Sequence, residues 1–295
     1  MQSETPPKIS IVIPTYNRPL LLERSLRSVL MQTYSNIEVI VVDDGDKERA
    51  KEIVTALQDS RVIYVENDPP KRGGGATRNV GIKLAKGEWI AFQDDDDEWL
   101  PNKLQLQMDA VRTTAADVGF CFTAVLNDFG DHQDVTTVRP GVLDYCDIAL
   151  RSFAGFLTVT LLFRANILRE VGGFDESLPS HQEPELMIRV TRTYKGLGIN
   201  QPLVRVNMTP HEQIGSSFER RIRGREIILE KHSALLSQYP KTLAYHYFQM
   251  GIWCRDSDQM SKAKTYFFKA FRLSKNPRHL AHALLALYKK DFVCQ

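Results

Sequence analysis

Short β-branched runs alternate with stretches of helical period through the first third of the chain. Ile9 to Pro14, Ile37 to Val42, Val62 to Val65 and Trp89 to Gln93 are apolar on consecutive positions, the pattern of strands buried on both faces. Between them, Leu20 to Met31, Lys47 to Leu57 and Gly75 to Lys86 place apolar residues three and four apart, as helices lying on a sheet do. This alternation predicts an α/β fold with a doubly wound, mostly parallel sheet. Open sheets of that kind bind ligands beyond the carboxyl ends of their strands. The polar clusters fall there: Pro14-Thr15-Tyr16-Asn17, Asp43-Asp44-Gly45 and Asp94-Asp95-Asp96-Asp97.

Beyond Pro101 the pattern loosens. Val118 to Leu126 alternates as a strand, 127–140 is a polar loop, Phe156 to Phe163 is apolar enough for a buried strand, and Arg164 to Val171 has helical period. Gly172-Gly173-Phe174-Asp175 forms a turn. In Gln182-Glu183-Pro184-Glu185 the proline suits a first helical position, which makes Glu183 the cap with its carboxylate pointing outward. A last strand, Pro202 to Asn207, precedes Pro210-His211-Glu212, and the rest is helical. Phe218 to Leu236 reads as one amphipathic helix, closed by Pro240. The spacing of Tyr247, Met250, Gly251, Cys254, Ala263, Phe267 and Ala270 is that of a single tetratricopeptide-like repeat. One repeat does not stand alone, so this tail is expected to dock on the α/β domain or to pair with a second copy or another protein. The chain divides into an α/β domain at 1–215 and a helical extension at 216–295.

Composition narrows the class. Hydrophobic residues at 43% and charged residues at 25% are those of a folded globular protein. A net charge of +2 gives no electrostatic reason to bind nucleic acid. The basic group Arg220, Arg221, Arg223, Arg225 and Lys231 reads as a solvated helix face, with an acidic membrane surface or polyanionic acceptor as the minority reading. Cys121, Cys146, Cys254 and Cys294 are far apart in sequence, which points to reduced thiols in the cytoplasm and not to a disulfide frame. The amino-terminal segment lacks an apolar signal core and no apolar run is long enough to span a bilayer, so membrane contact is expected to be peripheral.

The quartet Asp94 to Asp97 carries the chemistry. Unit charges ~4 Å apart repel by roughly 4 kcal/mol at an effective dielectric near 20, so a fold gathers four carboxylates only with a cation among them or with raised pKa values. Hard oxygen donors suit Mg2+ or Mn2+. Asp95 and Asp96 are assigned to the metal, and Asp97 to the cap of a helix opening at Glu98-Trp99-Leu100-Pro101. Gly73-Gly74-Gly75 has neither Rossmann nor Walker spacing and reads as a flexible loop.

Taken together, Ile11-Val12-Ile13-Pro14-Thr15-Tyr16-Asn17-Arg18, Val41-Val42-Asp43-Asp44-Gly45, Ala76-Thr77-Arg78-Asn79-Val80-Gly81, the run Gly87 to Leu104 and Gly172-Gly173-Phe174-Asp175 resemble a family 2 glycosyltransferase of the GT-A fold. The resemblance covers about residues 8 to 215. It implies an inverting, metal-dependent transfer of a sugar from a nucleotide-diphosphate sugar, with uridine diphosphate favoured, to a glycan, lipid-linked or other hydroxyl acceptor. Pro14, Thr15, Tyr16, Asp44, Arg78, Asp94 and Asp95 would hold the nucleotide, with Asp44 accepting from a base N–H. Asp96 would ligate Mn2+ or Mg2+, joined by His211. Glu183, where the family usually has Asp, would be the general base, with Glu185 in reserve. The implied setting is polysaccharide assembly in the cytoplasm at the inner face of a bacterial envelope. Two other readings remain: a catalytically impaired binding or scaffold protein of the same fold, and a nucleotidyltransferase, which the loop Thr15-Tyr16-Asn17-Arg18-Pro19 disfavours for want of a Gly- and Lys-rich stretch.

Overall fold

The computed structural model describes residues 6–47, 50–70, 73–153, 155–209 and 217–288. The first half of the sheet is built from β1 (Ile9–Thr15), α1 (Pro19–Leu30), β2 (Ile37–Asp43), α2 (Lys51–Ala56), β3 (Val62–Glu66), α3 (Gly74–Leu84) and β4 (Trp89–Phe92). Then follow β5 (Glu98–Trp99), α4 (Lys103–Arg112), β6 (Val118–Asp128), β7 (Gln133–Thr136), β8 (Gly141–Leu143), α5 (Cys146–Ser152), a 3-10 turn at Thr158–Thr160, β9 (Leu162–Arg164), α6 (Ala165–Glu170), α7 (Gln182–Thr191) and β10 (Lys195–Asn207). The tail is α8 (Phe218–Lys231), α9 (Ser233–Leu236), α10 (Pro240–Asp256), α11 (Met260–Ser274) and α12 (Pro277–Tyr288).

The strands lie in the order β3-β2-β1-β4-β9-β6-β10-β5, with β7 on β6 and β8 on β10. The β3-β2-β1-β4 part is parallel throughout, and β9 then runs antiparallel between β4 and β6. Every residue of β2 is buried, the signature of a strand covered on both faces. Pro19 opens α1, where its fixed φ and missing N–H cost nothing, and Leu22, Leu26 and Val29 form its buried stripe. Helix α3 lies so close on β1 that a Cβ on Gly81 would come within 2.3 Å of Val12 Cγ1.

The chain forms two compact units. The first holds Met1–Cys146, Phe156–Glu176 and Leu186–His211; the second holds Asp147–Gly155, Ser177–Glu185 and Glu212–Gln295. The second thus takes two short segments besides the tail. Within it, Gly251 of α10 sits against the Phe267 ring of α11, where a Cβ would be 2.6 Å from a ring carbon. Ala263, Phe267 and Ala270 are fully buried. Among the described residues no helix is long and apolar enough to cross a membrane.

Several expected elements differ. Glu98-Trp99 begins no helix: it pairs with β10 as a short strand, and α4 starts at Lys103. Residues 127–140 contain β7, whose Val135 lies opposite Leu126 of β6. Of Phe156 to Phe163, only the end joins the sheet, because Thr160 N and Oγ1 both donate to Leu157 O, at 2.9 and 2.7 Å, and wind Thr158–Thr160 into a turn. The last strand begins at Lys195, not Pro202, and irregular register between Ile199 and Val204 accommodates the proline. Helix α7 starts at Gln182, so Glu183 is a first-turn residue and not the cap; a proline is tolerated there because first-turn N–H groups have no intrahelical acceptor. Gly74 and Gly75 are helical, with Gly73 at φ +86° before them. The long helix of the tail breaks at His232.

Candidate functional site

The ends of β2, β3 and β4 are bound to their neighbours by backbone hydrogen bonds: Asp44 N to Thr15 O of β1 at 2.9 Å, Asn67 N after β3 to Asp43 O of β2 at 2.9 Å, and Gln93 N after β4 to Val12 O of β1 at 3.0 Å. All three polar clusters therefore share one crest. Pro14 is within β1 opposite Val42. Tyr16 is half-buried, its hydroxyl 3.4 Å from Asp46 Oδ1. Asp43 closes its own turn, accepting from Gly45 N, Ala50 N and the Tyr64 hydroxyl at 2.9, 2.8 and 2.7 Å. Asp44 accepts from Asn67 Nδ2 at 2.8 Å and from Gly73 N at 2.9 Å. This second contact ties the start of α3 to the β2 end.

The quartet is balanced by arginines. Arg18 NH2 is 2.6 Å from Asp95 Oδ1 and its NH1 is 3.0 Å from Asp96 Oδ2, while Arg78 NH2 is 2.5 Å from Asp94 Oδ1. Thr15 Oγ1 donates to Asp95 Oδ2 at 2.8 Å. The Asp95 carboxylate is 1% exposed and that of Asp96 is 19% exposed. Burial raises the Asp95 carboxyl to about 7, against the opposing pull of Arg18. Asp97 is raised to about 8 by burial and by the neighbouring Asp94. It caps no helix; its Oδ1 accepts from Asn207 N of β10 at 2.9 Å. Both conditions set by the sequence, cationic partners and raised pKa values, are thus met by the chain's own groups.

Gln93 stands where an apolar residue would suit a buried strand end. Its Nε2 donates to Ser25 Oγ at 2.9 Å and to Asp97 O at 2.6 Å, and Ser25 Oγ donates to Asp94 O at 2.8 Å. The amide braces the acidic turn against α1. Arg24 donates to Asp96 O at 3.0 Å and pairs with Glu98 at 3.2 Å. A polar cleft of about 300 Å³ opens alongside, lined by Arg24, Glu98, Asp128, Arg205, Asn207 and Thr209. The Asn79 amide receives Phe174 N at 2.8 Å and donates to Phe174 O at 2.9 Å. Gly173, at φ +70°, has no room for a Cβ, which would fall 2.4 Å from Asn79 Oδ1. The motif around Gly173 is therefore a latch for α3. Arg18, Arg24, Asn67 and Asn207 had no assigned role from sequence; only Arg18 lay inside a recognised motif.

In the second unit Glu183 is half-buried in the first turn of α7. Glu185 is fully buried, with Lys231 Nζ at 2.9 Å and His232 Nε2 at 3.1 Å from its Oε1. His211 lies outside the described residues. Among the described residues no three His, Cys, Asp or Glu side chains converge as a closed metal cage. Mg2+ and Mn2+ sites that keep water and substrate phosphates need only one or two carboxylates, and the partly exposed Asp96 meets that requirement.

Residues 10–152 match the family described as Glycosyl transferase family 2. The UDP-Glc:alpha-D-GlcNAc-diphosphoundecaprenol beta-1,3-glucosyltransferase WfaP of Escherichia coli is 34% identical over 145 residues, 48% of this chain and 57% of the relative. The chain spans 36%, 33% and 57% of the length of three curated relatives it matches. Among solved structures, S. aureus TarS 1-349 in complex with UDP superposes with a TM-score of 0.68 at 16% identity, covering 96% of this chain and 87% of that one. The mannosyltransferase PcManGT from Pyrobaculum calidifontis, in complex with GDP-Man and Mn2+, gives 0.57 at 17% identity, covering 99% and 89%. At these identities the structural likeness speaks for the fold.

Proposed function

The chain belongs to glycosyltransferase family 2, and from that premise we propose that it transfers a sugar from a uridine diphosphate sugar, with inversion, to a hydroxyl of a lipid-linked glycan acceptor. The observation that carries this reading is the convergence of Thr15, Asp44, Arg78 and Asp94 to Asp96 at the joined carboxyl ends of β1, β2 and β4. Two likenesses support the ligand classes: the relative is named for a UDP-glucose donor and a diphosphoundecaprenol acceptor, and a neighbour was solved with UDP.

Thr15 and Tyr16 flank the nucleoside, with Pro14 behind them. Asp44, just after β2, accepts the uracil N3–H. Arg78 neutralises diphosphate charge by a two-pronged contact, Asp94 orients it, and the buried Asp95 acts on the nucleotide through Thr15 and Arg18, which it holds. Asp96, joined by His211, would hold Mn2+ or Mg2+, and the cation would supply charge stabilisation for the departing diphosphate; a solved neighbour containing Mn2+ supports that choice. Glu183 accepts the proton of the attacking hydroxyl at its carboxylate oxygen. Its reach is one methylene longer than that of the usual Asp. Glu185, fully buried with Lys231 and His232 at its Oε1, is assigned to holding the second unit together. The work takes place in the cytoplasm with peripheral contact at the inner membrane face.

The test is calorimetric titration of UDP with and without Mn2+, followed by transfer assays on wild type, Asp96→Ala and Glu183→Gln. Metal-enhanced UDP binding, with turnover lost in both variants, is expected. UDP binding without turnover in wild type would favour the impaired binding protein, and full transfer by Glu183→Gln would remove that residue from the base role.

A further inference from the structure

We propose that Arg18 is a built-in stand-in for the divalent cation: one arm of its guanidinium holds the Asp96 carboxylate until a cation takes it over, while the other stays on Asp95. The proposal rests on the reading that Asp96 is the metal ligand. It makes Arg18 a positioning residue whose freed arm then turns to the donor diphosphate.

The two arms sit in unlike surroundings. NH2 meets Asp95 at 2.6 Å, and that carboxylate is 1% exposed. Its other oxygen is engaged by Thr15 at 2.8 Å. This contact is sealed from solvent and from ions. NH1 meets Asp96 at 3.0 Å across groups that are 22% and 19% exposed, so the second contact can be reached and exchanged.

The root of the side chain is fixed. Asn17, at φ +52°, accepts through its Oδ1 from Asp46 N and Lys47 N at 3.1 Å each. Pro19 begins α1 on the other side. Arg18 therefore stays anchored when its outer arm lets go. A guanidinium and a dication cannot both sit close to one carboxylate oxygen without strong like-charge repulsion, so metal arrival and arm release are one event. An arginine suits this task because its planar fork bridges two carboxylates at once, whereas a lysine offers a single point charge. A further consequence is order: the nucleotide, by offering phosphate to the freed arm, makes cation capture more favourable, and the two ligands raise each other's affinity.

The experiment is Mn2+ binding followed by electron paramagnetic resonance, without and with UDP, on wild type, Arg18→Ala, Arg18→Lys and Asp96→Asn, with thermal melts to confirm folding. Arg18→Ala is expected to bind Mn2+ at least about tenfold more tightly without nucleotide, the worth of one charge-assisted hydrogen bond in a partly buried site. Its gain in Mn2+ affinity on adding UDP should shrink. Arg18→Lys, satisfied by the sealed Asp95, should likewise leave Asp96 to the cation. Nucleotide-free Mn2+ affinity unchanged in both variants would overturn the proposal while leaving Asp96 as the ligand. So would an Arg18→Lys variant indistinguishable from wild type, since it would reduce the effect to distant charge. If Asp96→Asn binds Mn2+ as wild type does, the metal reading fails, and the proposal fails with it. Should Arg18→Ala not fold, Arg18→Lys alone decides.

Discussion

Each unit of the molecule buries a surplus of one charge, and they settle it differently. In the first, three of four adjacent carboxylates meet Arg18 and Arg78, and the two most buried of the four, Asp95 and Asp97, are raised to about 7 and about 8. In the second, Arg225 is 4% exposed, its Nε and NH1 without hydrogen-bond partners, lying 4.3 Å from the Trp253 ring and 5.2 Å from that of Phe153. Among the described residues no carboxylate pairs with it. The neighbouring histidines respond instead: burial, with Arg225 adding to it, lowers His181 to about 3 and His246 to about 4. The acidic cluster keeps the partly exposed Asp96 at a strand-end crest, whereas the buried Arg225 faces aromatic rings. One surplus is compensated by paired arginines near the surface, the other by rings and histidines held low in the interior.

Four measurements test that contrast. The largest effect is expected from Glu185→Ala, which leaves Lys231 and His232 around an empty acidic position: a loss of about 3–5 kcal/mol in denaturant unfolding, the usual result of removing one partner of a buried ion pair. Asp96→Ala should keep the fold and lower transfer about 10²–10³-fold, as removal of one main electrostatic stabiliser does. Arg225→Met keeps a long side chain between Phe153 and Trp253 and removes the buried charge, so stability should hold or rise by about 1 kcal/mol, with the His181 and His246 resonances titrating nearer their ordinary value. A fall in stability would mean that the ring contacts outweigh the desolvation of the charge.

The comparison is sharpened last by pH dependence, where the units have opposite signs. Histidines lowered from 6.5 bind protons when unfolded that they refuse when folded, so stability falls as pH drops below about 6.5. Carboxyls raised from 3.8 keep protons that the unfolded chain releases, so stability falls as pH rises from about 4 toward 8. Asp97→Asn retains an acceptor for Asn207 N and should flatten the melting-temperature decline on the alkaline side only.

What could be read from sequence tracks the range of the interaction that decides it. Strands β1, β2 and β4 were found within a residue because their burial on both faces is written in consecutive apolar side chains. The Glu98-Trp99 strand was missed because its partner is Val204-Arg205, over a hundred positions away, and Asp97 is claimed by Asn207 instead of a local helix. Phe156 to Phe163 looked like a strand since an apolar run does not distinguish sheet from buried turn. At the site, the acidic cluster and the need for compensation were legible. That the compensation comes from Arg18, 78 residues upstream of Asp96, was not, because local charge patterning says nothing about which distant side chains fold over a strand end.

The approach of Gly81 to Val12 acts as a spacer gauge for the whole crest. Adding even one methyl at Gly81 would jack α3 off the sheet, and the guanidinium three residues earlier would lift away from Asp94 by leverage. A position away from the crest therefore calibrates the contact between Arg78 and Asp94.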